Sequence, residues 1–184
     1  NTTATSEEFF AAMATAAGQP GIIEAFRSFV TQPGLPLLTV KRKSATQLEL
    51  SQTRYAPLGA GMTQGQSWKI PVCIHFYGTL GARKTCTLMV AASATMAIPE
   101  DIGAVTAVMP NAEGAGYYRF TLDDRDSAAL LARADSLPDR EAMMLADSVS
   151  GGFDAGTASL QRMLDAAAAL AKHPNRQVST QLGF

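Results

Sequence analysis

Side chains that commonly carry metal and nucleophilic chemistry are scarce here: two histidines and two cysteines in 184 residues. His75 and His173 lie far apart and form no H-E-x-x-H pair. A zinc site needs several nitrogen or sulfur ligands converging at tetrahedral geometry. There is no G-x-S-x-G elbow, and two histidines leave few ways to build a Ser-His-Asp or Cys-His set. The glycine-rich GAGMTQG stretch lacks the strand–glycine–helix context and the lysine of a phosphate loop. Cys73 and Cys86 fit neither a CxxC motif nor a disulfide framework, which leaves the compartment open. No apolar run approaches the ~20 residues of a membrane span, and no signal-peptide pattern occurs. Fifteen basic residues against sixteen acidic ones, net −1, provide no clustered cation surface for nucleic acid. The one dense basic run, Lys41-Arg42-Lys43, reads as the solvated end of a strand. No catalytic, cofactor-binding or metal-ligating residue is therefore assigned, and neither a nucleic acid nor a membrane is an expected partner.

What the chain does have is a core-forming composition, 47% hydrophobic, in a length that suits one domain or two small ones. Its hydrophobic period changes twice. Over residues 5–31, Thr5 and Glu8 make a T-x-x-E capping box, and Phe9, Phe10, Met13 and Ala17 recur at helical spacing. Gly18-Gln19-Pro20-Gly21 breaks that helix, and Ile22, Ile23, Phe26, Phe29 and Val30 form the stripe of a second one. In the middle, Leu48, Leu50, Gln52 and Arg54 alternate with polar neighbours as a strand does. SWKIPVCIHFY and ARKTCTLMVAAS, separated by Gly78-Thr79-Leu80-Gly81, read as a hairpin. Val72, Ile74 and Phe76 would share one face and Cys73, His75 and Tyr77 the other. Symmetric pairing sets Tyr77 against Ala82 and Cys73 against Cys86, with His75 beside them. Two buried thiols next to a partly exposed histidine are the expected arrangement; a cross-strand disulfide and a three-ligand metal site are the alternatives, and a one-residue slip would invert the faces.

From about residue 124 the helical period returns. Asp123-Asp124 reads as a helix cap rather than a catalytic carboxylate pair. DREAMMLADSVSGG should stop at Gly151-Gly152 and TASLQRMLDAAAALAKH at Pro174, while the NRQVSTQLGF tail closes nothing recognisable. The expected class is α+β, mainly β: a β-sandwich flanked by N-terminal helices and a C-terminal group of α-helices. The TQPGLPLLTV stretch joins the first helices to the first strand. Pro33 lacks the amide hydrogen to continue a helix, each proline pushes its predecessor toward extended geometry, and Pro33-Gly34 suits the centre of a type II turn. That is a rigid joint, not a flexible linker.

These joints carry a resemblance. FRSFVTQPGLPLLTV resembles the end of the catalytic domain of zinc aminopeptidases of the aminopeptidase N type, through Phe26, Phe29, Gln32, Gly34, Pro36, Leu38 and Val40. LELSQTRYA is similar to the family's next strand through Gln52 and Arg54, and SWKIPV to its W-x-[IL]-P strand through Trp68, Ile70 and Pro71. PNAEGAGYYRFTLDD resembles a later segment through Pro110, Asn111, Gly116, Tyr117, Tyr118, Arg119 and Phe120, and LPDREAMMLADS the opening of the C-terminal helical domain.

The resemblance implies a fragment. Residues 1–34 would be the last helices of the catalytic domain, 35–123 the β-sandwich domain, and 124–184 the start of the C-terminal helical domain. The parent enzyme would remove N-terminal residues from peptides with zinc-activated water. Its zinc ligands and substrate-amine grip belong to a preceding domain and have no counterpart among these residues, so none is carried over and zinc is expected in the parent only. The partners implied are the parent's missing catalytic and C-terminal domains. Cut helices would leave Phe9, Phe10, Phe26 or Phe29 partly exposed or buried against another copy. Arg119 is expected to be structural, its planar fork stacked among Tyr117, Tyr118 and Phe120 while satisfying carbonyls. The alternative function is a stand-alone β-sandwich binding module, which would need an exposed aromatic platform.

Overall fold

The structure is a computed structural model, and residues 3–61 and 65–183 are described. It contains helices and strands in the expected order, with two sheets between an N-terminal helix pair and a C-terminal helical group. The first helix, α1 (Ser6–Ala17), starts at the capping box: Thr5 accepts from the Glu8 amide, and Glu8 returns to the Thr5 amide at 2.7 Å. It ends at Gly18, whose φ of 62° is the left-handed conformation that favours glycine. The second, α2 (Ile22–Val30), runs to the joint.

At the joint, Gly34 has φ 117°, the positive value expected of its place in the turn. A side chain there would meet the Arg54 side chain, with Nε 2.7 Å from the added carbon. β1 (Pro36–Arg42) then pairs antiparallel with β2 (Gln47–Arg54). The hairpin is β3 (Ile70–Gly78) and β4 (Gly81–Met89), followed by β5 (Ser93–Ala97), β6 (Val105–Met109) and β7 (Arg119–Leu122). One sheet has the order β5-β2-β1-β7, with β7 parallel to β1; the other has the order β4-β3-β6. The chain changes sheets between β2 and β3, and again at each connection from β4 to β7.

Alternation builds the core. Leu38, Val40, Leu48 and Leu50 line the inner face of the first sheet, and Ile70, Val72, Ile74 and Phe76 that of the second. All are at most 1% exposed and belong to one cluster, so the two sheets form a sandwich. Trp68 is 1% exposed in that core and supplies no surface platform.

The same cluster continues into the C-terminal helices α3 (Asp124–Leu131), α4 (Asp139–Asp154), α5 (Leu160–Leu170) and α6 (Arg176–Ser179) through Leu130, Leu145, Ala146, Met163, Leu170 and Val178. Asp123 caps α3 by accepting from the Asp126 amide at 2.8 Å, the role read from the sequence. Two expectations are corrected. The fourth helix does not stop at Gly151-Gly152 but runs through both to Asp154. Gly151 sits inside the helix because Arg119 crosses it: an added Cβ would lie 2.6 Å from Arg119 Cδ. The tail also closes something, since α6 is capped by Asn175 and buries Val178, and Leu182 beyond it is buried too.

The N-terminal phenylalanines divide as anticipated for partly exposed stripes. Phe9 is 56% exposed, Phe26 and Phe29 are half-buried, and Phe10 is buried. Phe10 stacks on Phe26, and Phe29 makes an edge contact with exposed Tyr117.

Candidate functional site

Pleating places Cys73, His75 and Tyr77 together on the outer face of β3, while their neighbours enter the core. The first turn of α4 lies over this face and lowers Glu141 onto it. Glu141 is fully buried and its carboxylate accepts three hydrogen bonds. His75 Nδ1 is 2.9 Å from Oε1, the Glu113 amide donates to the same oxygen at 2.8 Å, and the Tyr77 hydroxyl donates to Oε2 at 2.9 Å. Glu113 has φ 61°, a conformation uncommon for a residue with a side chain, and its amide thereby meets Glu141. Its own carboxylate turns outward to Lys84 at 2.7 Å, which holds its pKa below the usual carboxylate range.

The rings reinforce the arrangement. His75 and Tyr77 lie 4.9 Å apart by centroids, and the Arg133 guanidinium stands 4.3 Å over the Tyr77 ring. Burial, then the Glu141 charge and the hydrogen bond to it, push the Tyr77 phenol well above an ordinary tyrosine. A histidine oriented by a buried carboxylate is two-thirds of a nucleophilic triad. Here the neighbouring thiol is committed elsewhere: Cys73 is disulfide-bonded to Cys86.

That bond corrects the expectation of two buried thiols. The predicted register is right, Cys73 opposite Cys86 and Tyr77 opposite Ala82. Because both cysteines point outward, however, Cys73 is only half-buried and Cys86 is exposed. The residues do not fit a zinc ion. Both sulfurs are spent in the disulfide, and the described residues contain no cluster of three or more His, Cys, Asp or Glu that could hold a metal.

The other buried polar side chains are likewise committed. Gln52 accepts from the Trp68 amide at 2.9 Å and donates to the carbonyls of Trp68 and Ala91 at 2.8 and 2.9 Å. Asn111 closes its loop by exchanging two bonds with the Gly116 backbone. Asp126 accepts from Arg42 Nε, so the middle residue of the basic run is half-buried and paired while Lys41 and Lys43 are exposed. Ser148 accepts from the Phe120 amide, and His173 engages the Leu137 carbonyl and the Asn175 amide.

Arg119 is structural, but its partners differ from those expected. It makes a two-pronged pair with Asp147 at 2.8 and 2.9 Å and lies 4.2 Å over the Tyr55 ring. Its sequence neighbours cannot serve, because pleating turns Tyr118 and Phe120 inward and Tyr117 is 71% exposed. Glu141 escaped sequence reasoning because an acidic residue in a first helical turn ordinarily reads as a solvated complement to the helix dipole. The available signal was its sequence context: DREAMM opens a helix, and the Cys-x-His-x-Tyr face of the hairpin requires a cover.

No protein-family model matches the chain, and comparison with curated proteins returns no match.

Proposed function

We propose that this chain is a non-catalytic scaffold portion of a zinc aminopeptidase of the aminopeptidase N type, holding the geometry between a catalytic domain and a C-terminal helical domain. One observation carries the reading. The buried polar side chains among the described residues, Gln52, Asn111, Asp126, Glu141, Ser148 and His173, all have partners within the chain. They fasten strands to loops and helices to sheets, while Trp68 Nε1 and Arg133 Nε are buried without a hydrogen-bond partner among the described residues. The residues that carry the resemblance do such work: Gln52 binds the backbone at Trp68, Gly34 makes room for Arg54, and Arg119 crosses Gly151 to reach Asp147.

On this reading the parent hydrolyses N-terminal residues from peptides at a site built by other residues. The exposed stripe of Phe9, Met13 and Val30 is the face that the rest of the parent, or a second copy of the isolated chain, covers. The coding sequence upstream of Asn1 tests the assignment. It should encode an H-E-x-x-H pair followed by a downstream glutamate; an upstream sequence without that pattern would overturn it.

A further inference from the structure

Cys73 and Cys86 are the chain's only cysteines, and they stand directly opposite each other in the β3–β4 ladder. Three roles are open to such a pair. Core filling is the commonest role of an unmodified cysteine, but these side chains lie on the outer face, one half-buried and one exposed. Metal binding lacks further ligands: among the described residues no group of three or more His, Cys, Asp or Glu side chains could hold an ion. A covalent cross-link remains, and it is the one the structure contains.

We propose that this disulfide is a permanent staple formed in an oxidising compartment, so that the chain works outside the reducing cytosol. The exposure of Cys86 decides between a permanent and a transient bond. A solvent-accessible disulfide in a thiol-rich cytosol is open to attack by thiolates and exchanges back to thiols. An exposed free pair would in turn be liable to oxidation and mispairing. Accessible cysteines in strict register are therefore stable as a cross-link where the surroundings are oxidising. Formation is balanced by a disulfide-donating oxidoreductase: the two thiols lose two protons and two electrons, one S–S bond forms, and the donor's disulfide is reduced to two thiols. The bond closes a hairpin that nine residue pairs already define, so it reinforces register without creating the fold.

The test uses the chain in the cells that make it. Cells are quenched in acid, free thiols are blocked with a maleimide of known mass, and the tryptic peptides that carry Cys73 and Cys86 are weighed before and after reduction; a parallel fractionation locates the protein. No maleimide before reduction, two after it, and recovery from an extracytoplasmic fraction are expected. Two maleimides before reduction would overturn the staple, and an intact disulfide in the cytosolic fraction would overturn the compartment. A Cys73→Ala/Cys86→Ala double variant keeps the question open to measurement should reduction prove slow. It should fold with an unchanged circular-dichroism spectrum and a lower thermal midpoint that no longer responds to dithiothreitol. A wild-type midpoint unaffected by full reduction would also count against a structural staple.

Discussion

The two helical regions of this chain are attached to the sandwich in opposite ways. The C-terminal group is bound through buried and half-buried chemistry: buried Glu141 receives three hydrogen bonds, Asp147 grips half-buried Arg119, and α4 buries Ala142, Leu145 and Ala146 in the common core. The N-terminal pair is attached through its surface. Of its residues only Phe10, Ala14 and Ala25 are buried, and its ion pairs, Arg27 with Glu7 and Lys69 with Glu24, join largely exposed side chains. Exposed pairs contribute little because water screens them, whereas a desolvated carboxylate that loses its donors is costly. Burial of the connecting polar groups separates the two regions.

Removing Glu141 should strain the comparison most. Glu141→Ala strips partners from His75, the Tyr77 hydroxyl and the Glu113 amide, and should cost about 3 kcal/mol in urea unfolding. Glu7→Ala, which breaks the exposed pair between α1 and α2, should leave the urea midpoint unchanged. Equal losses would erase the distinction. Glycines sharpen it next. Gly151→Ala drives a carbon into Arg119 and should cost about 2 kcal/mol. Gly21→Ala, at a position with open space around it, should be close to neutral.

Much of this was legible in the sequence and some was not, for identifiable reasons. The hairpin register followed from period-two alternation around Gly78 and Gly81, and with it the opposition of Cys73 and Cys86, although two thiols and not a disulfide were expected there. The capping box at Thr5 and the cap at Asp123 were readable because each acts within four residues. The Arg119–Asp147 and Glu141–His75 contacts were not, since they join residues 28 and 66 positions apart, where no local period reports. Gly151 was misread for a related reason. A glycine near a helical pattern's end suggests a cap, and only the distant arginine shows that it is a gap for a side chain.

Alkaline pH addresses the tyrosine that β3 presents to Glu141. Burial, with the Glu141 charge, raises the Tyr77 phenol, and burial raises Tyr118; unfolded tyrosines ionise near pH ~10. The unfolded chain therefore releases protons first, and stability that is complete below that pH declines as pH rises past it. Tyr77→Phe should cost about 1 kcal/mol at neutral pH and flatten the alkaline decline. A titration of stability against pH, with phenolate absorbance followed in parallel, checks both; an unchanged slope would remove Tyr77 from the account. The smallest effect on stability should come from the N-terminal stripe. Phe9→Ser, at a 56% exposed position, should leave the unfolding midpoint within error while reducing concentration-dependent association in sedimentation velocity. A large loss of stability there would mean that α1 is integrated as firmly as α4.

The central claim is that these residues form scaffold and not a catalytic site. Hydrolysis of an aminoacyl reporter by the purified 184-residue chain, with zinc supplied and then chelated, tests it most directly. The account predicts no turnover above buffer in either condition; zinc-dependent release of the reporter by this chain would contradict it.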